Sequence, residues 1–399
     1  MTPASVKRLL SAGYRVFFLL AGLFAVFAML VWESSLAIEA AGGTVSYGFA
    51  TAPQMWHAHE LIYGYGAAVI AGFLLTAAPG WTGLRAAPSG FFALASAIWV
   101  AGRLAVWWSA SLPPLLVAGI DLVFLPIVGA HVLTLLLKRP KPAQMMILGV
   151  IALLWSGNAV MHGDWVGAGG DAWLGARVGV LALATLIVIL GGRVTPAFTR
   201  NAMVRTGREH RLPRNPVRLG IAAIAPAIAA SLTLLVGLPM EIPGALAAIA
   251  GLVALARLAR WRGGWTFGQP ILWSLHLSYG LNALGLVLTG LAWSGIGSEL
   301  AGLHLLAIGG IGSMTLAVMS RAALGHSGRP LVAPAPVAVA YGLVPLAALI
   351  RFAASASPTL HDAGVLLAGG LWIVAFTLYV VALWPVFWGE RGIAKPAQA

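Results

Sequence analysis

The sequence predicts an all-helical polytopic membrane protein with about twelve transmembrane helices. Sixty per cent of its residues are hydrophobic, only 9% are charged, and the mean hydropathy is +0.91. Apolar segments long enough to cross a bilayer also recur along the whole chain. No soluble domain fits between them, so we expect a single integral membrane domain, 1–399. The predicted spans lie near 16–38, 58–79, 91–108, 113–137, 144–160, 172–191, 217–237, 242–258, 268–293, 300–319, 333–353 and 363–388.

The distribution of lysine and arginine predicts the orientation. Twelve spans place both termini on one side of the membrane. Every lysine and arginine except Arg103, Arg177 and Arg351 falls on that side, including the loop after span six and Lys395 near the C-terminus. The positive-inside rule therefore predicts that both termini are cytoplasmic. The same rule explains the net charge of +13, and we expect no nucleic-acid partner.

The residue types and motifs that the sequence lacks exclude several kinds of cofactor and reaction. The chain has no cysteine, which excludes disulfides, thiolate nucleophiles and iron–sulfur clusters. A bound metal must then use histidine, methionine, carboxylate or carbonyl ligands. The sequence also lacks Walker, dinucleotide-binding, Gly-x-Ser-x-Gly and His-Glu-x-x-His motifs. This counts against nucleotide-driven transport, dehydrogenase chemistry, serine hydrolysis and zincin proteolysis.

Three span ends resemble one another. Spans two, six and ten each carry a threonine in a Gly- and Ala-containing context, namely Thr76, Thr195 and Thr315. Their nearly equal spacing predicts three four-helix repeats, 1–140, 141–262 and 263–399. The alternative is that glycine, threonine and alanine are simply common in packed membrane helices.

The segment His57-Ala58-His59-Glu60 places two imidazoles and a carboxylate where span two begins. Ionisable groups inside a membrane are costly, so each one is a candidate functional residue. Thr51 and Pro53 predict a helix start just before them. On a helix, His57 and His59 point about 200° apart. One ion can hardly bind both, whereas two neighbouring centres can take one each. Glu60 falls on the His57 face, where it can orient a ligand. The alternative is a pair of interfacial histidines that bond headgroups or a carbonyl.

Two further histidines lie inside apolar segments. His304 is at a depth similar to that of His57 and His59, and His276 lies nearer the cytoplasmic side of span nine. Alone, each fits a hydrogen-bonded packing role, but together the four predict a metal or haem site, because neutral imidazole is a common ligand of haem iron and copper. We expect a packing role for His131, a cytoplasmic segment for His326, and solvated loops for His162, His210 and His361.

The three remaining arginines, Arg103, Arg177 and Arg351, all fall in the outer third of the predicted spans. Haem carries two propionates, and guanidinium groups are well shaped to hold carboxylates. The arginines are therefore candidate cofactor-binding residues. The alternative for Arg103 is an ion pair with Asp121 in the adjacent span.

With these residues in view, the chain resembles the NnrS family over nearly its full length. The resemblance rests on Met55-Trp56-His57-Ala58-His59-Glu60 and on segments 72–83, 192–201, 276–279 and 304–330. One departure is Gly80, where the family pattern has asparagine before Trp-Thr-Gly, and it affects no candidate ligand. The family implies a bacterial inner-membrane protein of nitric oxide metabolism with bound haem and copper. By analogy, the His-x-His helix also looks like that of haem–copper oxidases.

The leading hypothesis is a haem–copper membrane protein that binds nitric oxide and reduces it or protects against nitrosative stress. His57, His59, His276 and His304 would be the metal ligands, and Glu60 would be catalytic by orienting a ligand or passing protons. Whether the protein is an enzyme stays open, because reduction needs an electron donor such as quinol or a redox protein. The alternative is a transporter of haem, copper or a small anion. A purely structural subunit ranks last.

Overall fold

The computed structural model describes residues 3–392, and within them the chain forms helices and no strand. Twelve of the helices are long and apolar enough to cross a membrane, which confirms the predicted number and approximate positions. A short helix, Pro3–Leu9, precedes them. Lys395 lies outside the described residues. Numbered α1 to α12 in chain order, the twelve are Gly13–Ala40, Pro53–Thr82, Ser89–Trp107, Pro114–Lys138, Pro142–Trp165, Ala172–Arg205, Val217–Leu235, Glu241–Leu258, Pro270–Trp293, Glu299–His326, Ala335–Ala356 and Pro358–Trp388.

Proline marks several helix starts. Pro53, Pro114, Pro142 and Pro270 each stand in the first turn of a helix, where the missing N–H leaves no hydrogen bond unmade. The predicted start of α2 after Thr51 is thereby confirmed. Helices also extend past the apolar segments, because backbone hydrogen bonding does not stop where hydropathy falls.

Helix α6 is the clearest extension. The sequence placed Arg193, Arg200 and Arg205 in a loop, but the structure places them on α6, which continues to Arg205. Pro196 lies inside this extension and cannot donate to the carbonyl of Gly192. That carbonyl instead accepts hydrogen bonds from Asn215 Nδ2 at 2.9 Å and from an Arg257 nitrogen at 3.0 Å. These two side chains satisfy the carbonyl that Pro196 leaves unpaired.

Three π-helical segments occur in the described residues, at Glu60–Tyr65, Ile187–Gly191 and Leu305–Gly312. They lie in α2, α6 and α10, the same three spans that carry the repeated threonines. Their positions relative to those threonines differ, and the threefold repeat stays a prediction. Single π turns widen a helix and often occur at functional sites.

By packing, the chain divides into two compact units. Among the described residues, the first contains those up to Trp173, Val318–Val337 and those from Phe376 to Gly392, and the second contains Leu174–Ala317 and Ala338–Ala375. In the first unit α1 packs closely on α2, since a Cβ at Gly72 would meet the Phe18 ring at 2.5 Å. Helices α2 to α5 all belong to this unit, and they carry the site described next.

Candidate metal centre

A cluster of buried polar side chains lies within the first unit. Helix α2 contributes His59 and Glu60, α3 contributes Arg103, and α4 contributes Asp121. Helix α5 adds Asn158 and His162. All six are less than a tenth exposed. Buried polar groups are costly unless each finds a partner, so the hydrogen bonds of the cluster indicate what it can do.

Arg103 joins two carboxylates. Its guanidinium forms short ion pairs with Glu60 Oε1 and with Asp121 Oδ1. Two glycines permit this approach: a Cβ at Gly64 would lie 2.8 Å from Arg103 Nη1, and a Cβ at Gly102 would lie 3.1 Å from Asp121 Oδ1. The structure therefore contains the Arg103–Asp121 pair that the sequence offered as the alternative to propionate binding.

His59 faces oxygen atoms on both sides of its ring. Nδ1 lies 2.9 Å from Glu60 Oε1, while Nε2 lies 2.9 Å from Asn158 Oδ1 and 3.2 Å from Asp121 Oδ2. The Asn158 amide is oriented by its own Nδ2, which donates to Asp121 Oδ2 at 2.9 Å. Since these oxygens accept hydrogen bonds, both ring nitrogens must carry a proton or bind a cation. An imidazolium satisfies the arrangement.

Glu60 corrects one expectation. The sequence placed it on the His57 face, but in the structure its carboxylate contacts His59 and Arg103. Glu60 is the first residue of the π-helical segment, and which neighbours its carboxylate reaches is not visible in hydropathy.

His162 corrects a second expectation. The sequence assigned it to a solvated loop, whereas it lies on α5, is 2% exposed and bonds Asp121 Oδ2 through Nε2 at 2.9 Å. Helix α5 continues to Trp165, beyond its apolar stretch. The spacing of Asn158 and His162, four residues apart, was the available signal, since such residues share a helix face.

The cluster combines balanced charge with a metal-capable geometry. With His59 protonated, two positive groups, His59 and Arg103, face two carboxylates, Glu60 and Asp121. One ligand atom each from His59, Asp121 and His162 lies within 4.8 Å of the others. A metal ion at this position would replace the protons that His59 and His162 share with Asp121. The cluster therefore fits either two protons or one divalent cation.

A small cavity adjoins these residues. It measures about 10 Å³ and is lined by Arg103, Asp121 and Asn158 together with Tyr63 and Trp155. This is space for a species of about the size of a water molecule. A diatomic gas suits such a space far better than a porphyrin, so haem does not fit here.

His57 has a different environment from His59. It is half-buried, and its ring stacks on Trp32 with the ring centres 4.7 Å apart. The two histidines of the motif thus meet different neighbours, in agreement with the opposite directions that helical geometry predicts. Among the six clustered residues the sequence had singled out three as site residues, His59, Glu60 and Arg103.

A family model described as NnrS protein matches residues 8–391, nearly the whole chain. The chain belongs to the NnrS family. No curated protein matched its sequence. Family membership agrees with the resemblance inferred from the motifs, and it adds no ligand assignment.

In the second unit, His304 of this NnrS-family chain is oriented by its own helix. Its Nδ1 lies 2.8 Å from the carbonyl oxygen of Leu300. A carbonyl only accepts, so Nδ1 carries the proton, and neutral imidazole presents its lone pair at Nε2. Histidines that bind metals usually donate their other N–H in this way. The half-buried His304 is therefore suitably arranged as a ligand.

The two other candidate arginines belong to this second unit. Arg177 forms a two-pronged ion pair with Glu299, at 2.6 and 2.9 Å. The buried Arg351 donates to the Ser355 hydroxyl and lies within electrostatic range of His304. Binding of a propionate by these two arginines stays a prediction.

His276 does not share a site with His304. Gly302 packs against Thr289, which sets His304 level with about Val287 of α9. His276 precedes that level by some eleven residues, which corresponds to about 16 Å along the helix. No single ion can bind both. The expected grouping of the histidines into one redox site therefore does not extend to His276.

Proposed function

We propose that this NnrS-family protein is a haem–copper membrane protein that binds nitric oxide and either reduces it or protects the cell from it. One observation carries the proposal: His59, Asp121 and His162 converge in the first unit with their ligand atoms within 4.8 Å of one another. The family resemblance supplies the link to nitric oxide, haem and copper.

Copper suits the donor set of this cluster. Two imidazole nitrogens and a carboxylate oxygen are typical ligands of Cu(II). His59 Nε2, His162 Nε2 and Asp121 Oδ2 would hold the ion, and Arg103 would keep Asp121 in place through its other oxygen. Copper bound here would supply a redox-active ion beside a space of about 10 Å³.

The polar groups around the three ligands have separate roles in this proposal. Glu60 accepts a hydrogen bond from His59 Nδ1, which orients the ring and raises its basicity as a ligand. Asn158 donates from Nδ2 to Asp121 Oδ2 at 2.9 Å and keeps that carboxylate oriented. Its Oδ1, 2.9 Å from His59 Nε2, would lie beside the ion once Nε2 has given up its proton. Apolar surroundings favour a small, lipid-soluble ligand, so nitric oxide needs no hydrophilic pore.

Haem needs a different location, because the cavity at His59 is too small for it. His304 fits best, since Leu300 orients its ring and leaves Nε2 for iron. Arg351 is the candidate for a propionate. The distribution of lysine and arginine supports cytoplasmic termini, and the family resemblance supports a location in the bacterial inner membrane.

Optical spectroscopy tests the haem half of this proposal. We expect the purified protein to show a haem spectrum that shifts when nitric oxide is added. His304→Ala should lower the haem content at least tenfold, because one iron–imidazole bond is lost. His210→Ala, which changes an exposed loop histidine, should leave the spectrum intact. A haem-free wild type, or full haem retention in His304→Ala, would contradict the assignment.

A cation-coupled transporter is the second candidate. The charge balance of the His59 cluster favours it, because buried ionisable groups that exchange protons for a cation mark many transport pathways. Uptake of labelled copper into liposomes by protein that carries no resident metal would establish transport and would count against the leading proposal.

A further inference from the structure

A second pocket lies at the start of α9. Of the candidate metal ligands, only His276 lines it. It is a cavity of about 660 Å³ lined mainly by apolar side chains, among them Leu258, Phe267, Trp273 and Leu277. Phe267 is 81% exposed and Leu277 is 40% exposed. Because these apolar side chains border the opening, the pocket admits a lipid-soluble molecule.

His276 presents an unpaired nitrogen to this pocket. The side chain is 7% exposed, and its Nε2 lies 2.9 Å from the hydroxyl oxygen of Thr199. That hydroxyl already donates to the carbonyl of Thr195 at 2.9 Å, so it accepts from Nε2–H. The lone pair of neutral His276 is then at Nδ1, which has no hydrogen-bond partner among the described residues.

Gly263, which has no side chain, lies beside this nitrogen. A Cβ at Gly263 would lie 3.2 Å from His276 Nδ1, whereas a Cβ at Gly264 would meet nothing within 4 Å. Of these two glycines, only position 263 lies next to the nitrogen, whereas Gly264 borders open space. A buried acceptor without a partner is costly, so this nitrogen calls for a ligand that donates a hydrogen bond.

A porphyrin is a poor match for this nitrogen. Nδ1 is next to the ring carbon that carries Cβ, so the side chain's own methylene group crowds a large plane bound at Nδ1. A single hydroxyl group meets no such obstacle. The geometry thus favours a small donor group on a flat, apolar molecule that can stack on Trp273 or Phe267.

A neighbouring cavity contains hydrogen-bond donors that could bind a second polar group of the same ligand. It measures about 650 Å³, shares Ala259, Gly263 and Gly264 with the first, and adds Arg208 and Arg262. The buried Nε of Arg208 also has no hydrogen-bond partner among residues 3–392. His276 Nδ1 in the first cavity is thus an unpaired hydrogen-bond acceptor, and Arg208 Nε in the second is an unpaired donor.

We propose that this pocket binds the ring of a lipid-soluble hydroquinone, with one ring hydroxyl donating to His276 Nδ1 and the other oxygen facing Arg208. The proposal that the hydroquinone binds depends only on the geometry of the pocket. The use of the hydroquinone as the source of electrons for nitric oxide reduction rests on the proposed function. One hydroquinone would give two electrons and two protons to two nitric oxide molecules, which yields nitrous oxide, water and the quinone. The oxidised quinone has only carbonyl oxygens at these positions and cannot donate to Nδ1.

The test is anaerobic titration calorimetry of the full-length protein in detergent. The probes are trimethylhydroquinone and its dimethyl ether, in which both hydroxyls are capped. Wild type should bind the hydroquinone about tenfold more tightly than the ether, the effect of one buried hydrogen bond. His276→Phe should bind both alike. Gly263→Ala should lose the preference, and the matched Gly264→Ala should keep it.

Equal affinities for the two probes in wild type would show an unspecific lipid pocket and would overturn the proposal, as would a preference that survives His276→Phe. Copper and haem are to be measured in the same samples. Metal-free protein that still prefers the hydroquinone would contradict the proposed function alone. Metal-loaded protein without the preference would contradict the hydroquinone site alone.

Discussion

Asp121→Asn should destabilise the protein by about 3 to 5 kcal/mol, the usual cost of removing one partner from a buried ion pair. Asp121 accepts hydrogen bonds from Asn158 and His162 and forms an ion pair with Arg103. Without its charge, Arg103 and His59 retain one carboxylate, Glu60, between them. Unfolding in mixed detergent micelles measures the change in free energy, and Asp164→Asn, on the exposed end of α5, is the matched control.

A double variant shows whether the loss of stability in Asp121→Asn comes from the unbalanced charge of the cluster or from the loss of the Asp121 carboxylate itself. Arg103→Gln together with Asp121→Asn leaves one positive group, His59, and one negative group, Glu60. We expect this variant to be more stable than Asp121→Asn alone, because residues in one network do not act additively. Destabilisation equal to the sum of the single changes would contradict the charge-balanced network.

The second large effect is expected at Arg257. This side chain is 2% exposed and donates to the carbonyls of Val188 and Gly192 and to the Tyr279 hydroxyl, at 3.0 to 3.2 Å. In Arg257→Met the Val188 carbonyl and the Tyr279 hydroxyl lose this donor, while the Gly192 carbonyl keeps only Asn215. The expected loss is about 3 kcal/mol, from buried polar groups deprived of a partner.

Arg260→Met is the matched control for this prediction, because Arg260 is exposed three residues further along the chain. The two variants are compared by the same unfolding measurement. Arg257→Lys should recover part of the loss, since an ammonium group reaches fewer of the three oxygens. Equal stability of Arg257→Met and Arg260→Met would show that the buried hydrogen bonds contribute nothing.

The sequence predicted the number of helices because hydropathy and length suffice for that purpose. It missed the role of Arg257, which was counted only among the basic residues on the cytoplasmic side and is buried at the end of α8. The positive-inside rule assigns a side to a residue but does not show which way its side chain points. Packing against α6 and α9 decides that.

The candidate site was predictable in part. His59, Glu60 and Arg103 were singled out because charged and imidazole groups inside apolar segments are rare. Their partners Asn158 and His162 were not, because contacts between helices depend on the rotation of each helix. That rotation follows from the π-helical turn at Glu60 and from close approaches at Gly64 and Gly102, which a linear pattern does not encode.

Copper content tests the central claim most directly. Protein purified after growth with copper should contain the metal in stoichiometric amount, and His59→Gln combined with His162→Gln should remove it. Both replacements are uncharged amides, and His210→Gln changes an exposed loop histidine as the control. The account predicts copper in wild type and in the control only. Full copper retention in the double variant would show that the cluster is not the metal site.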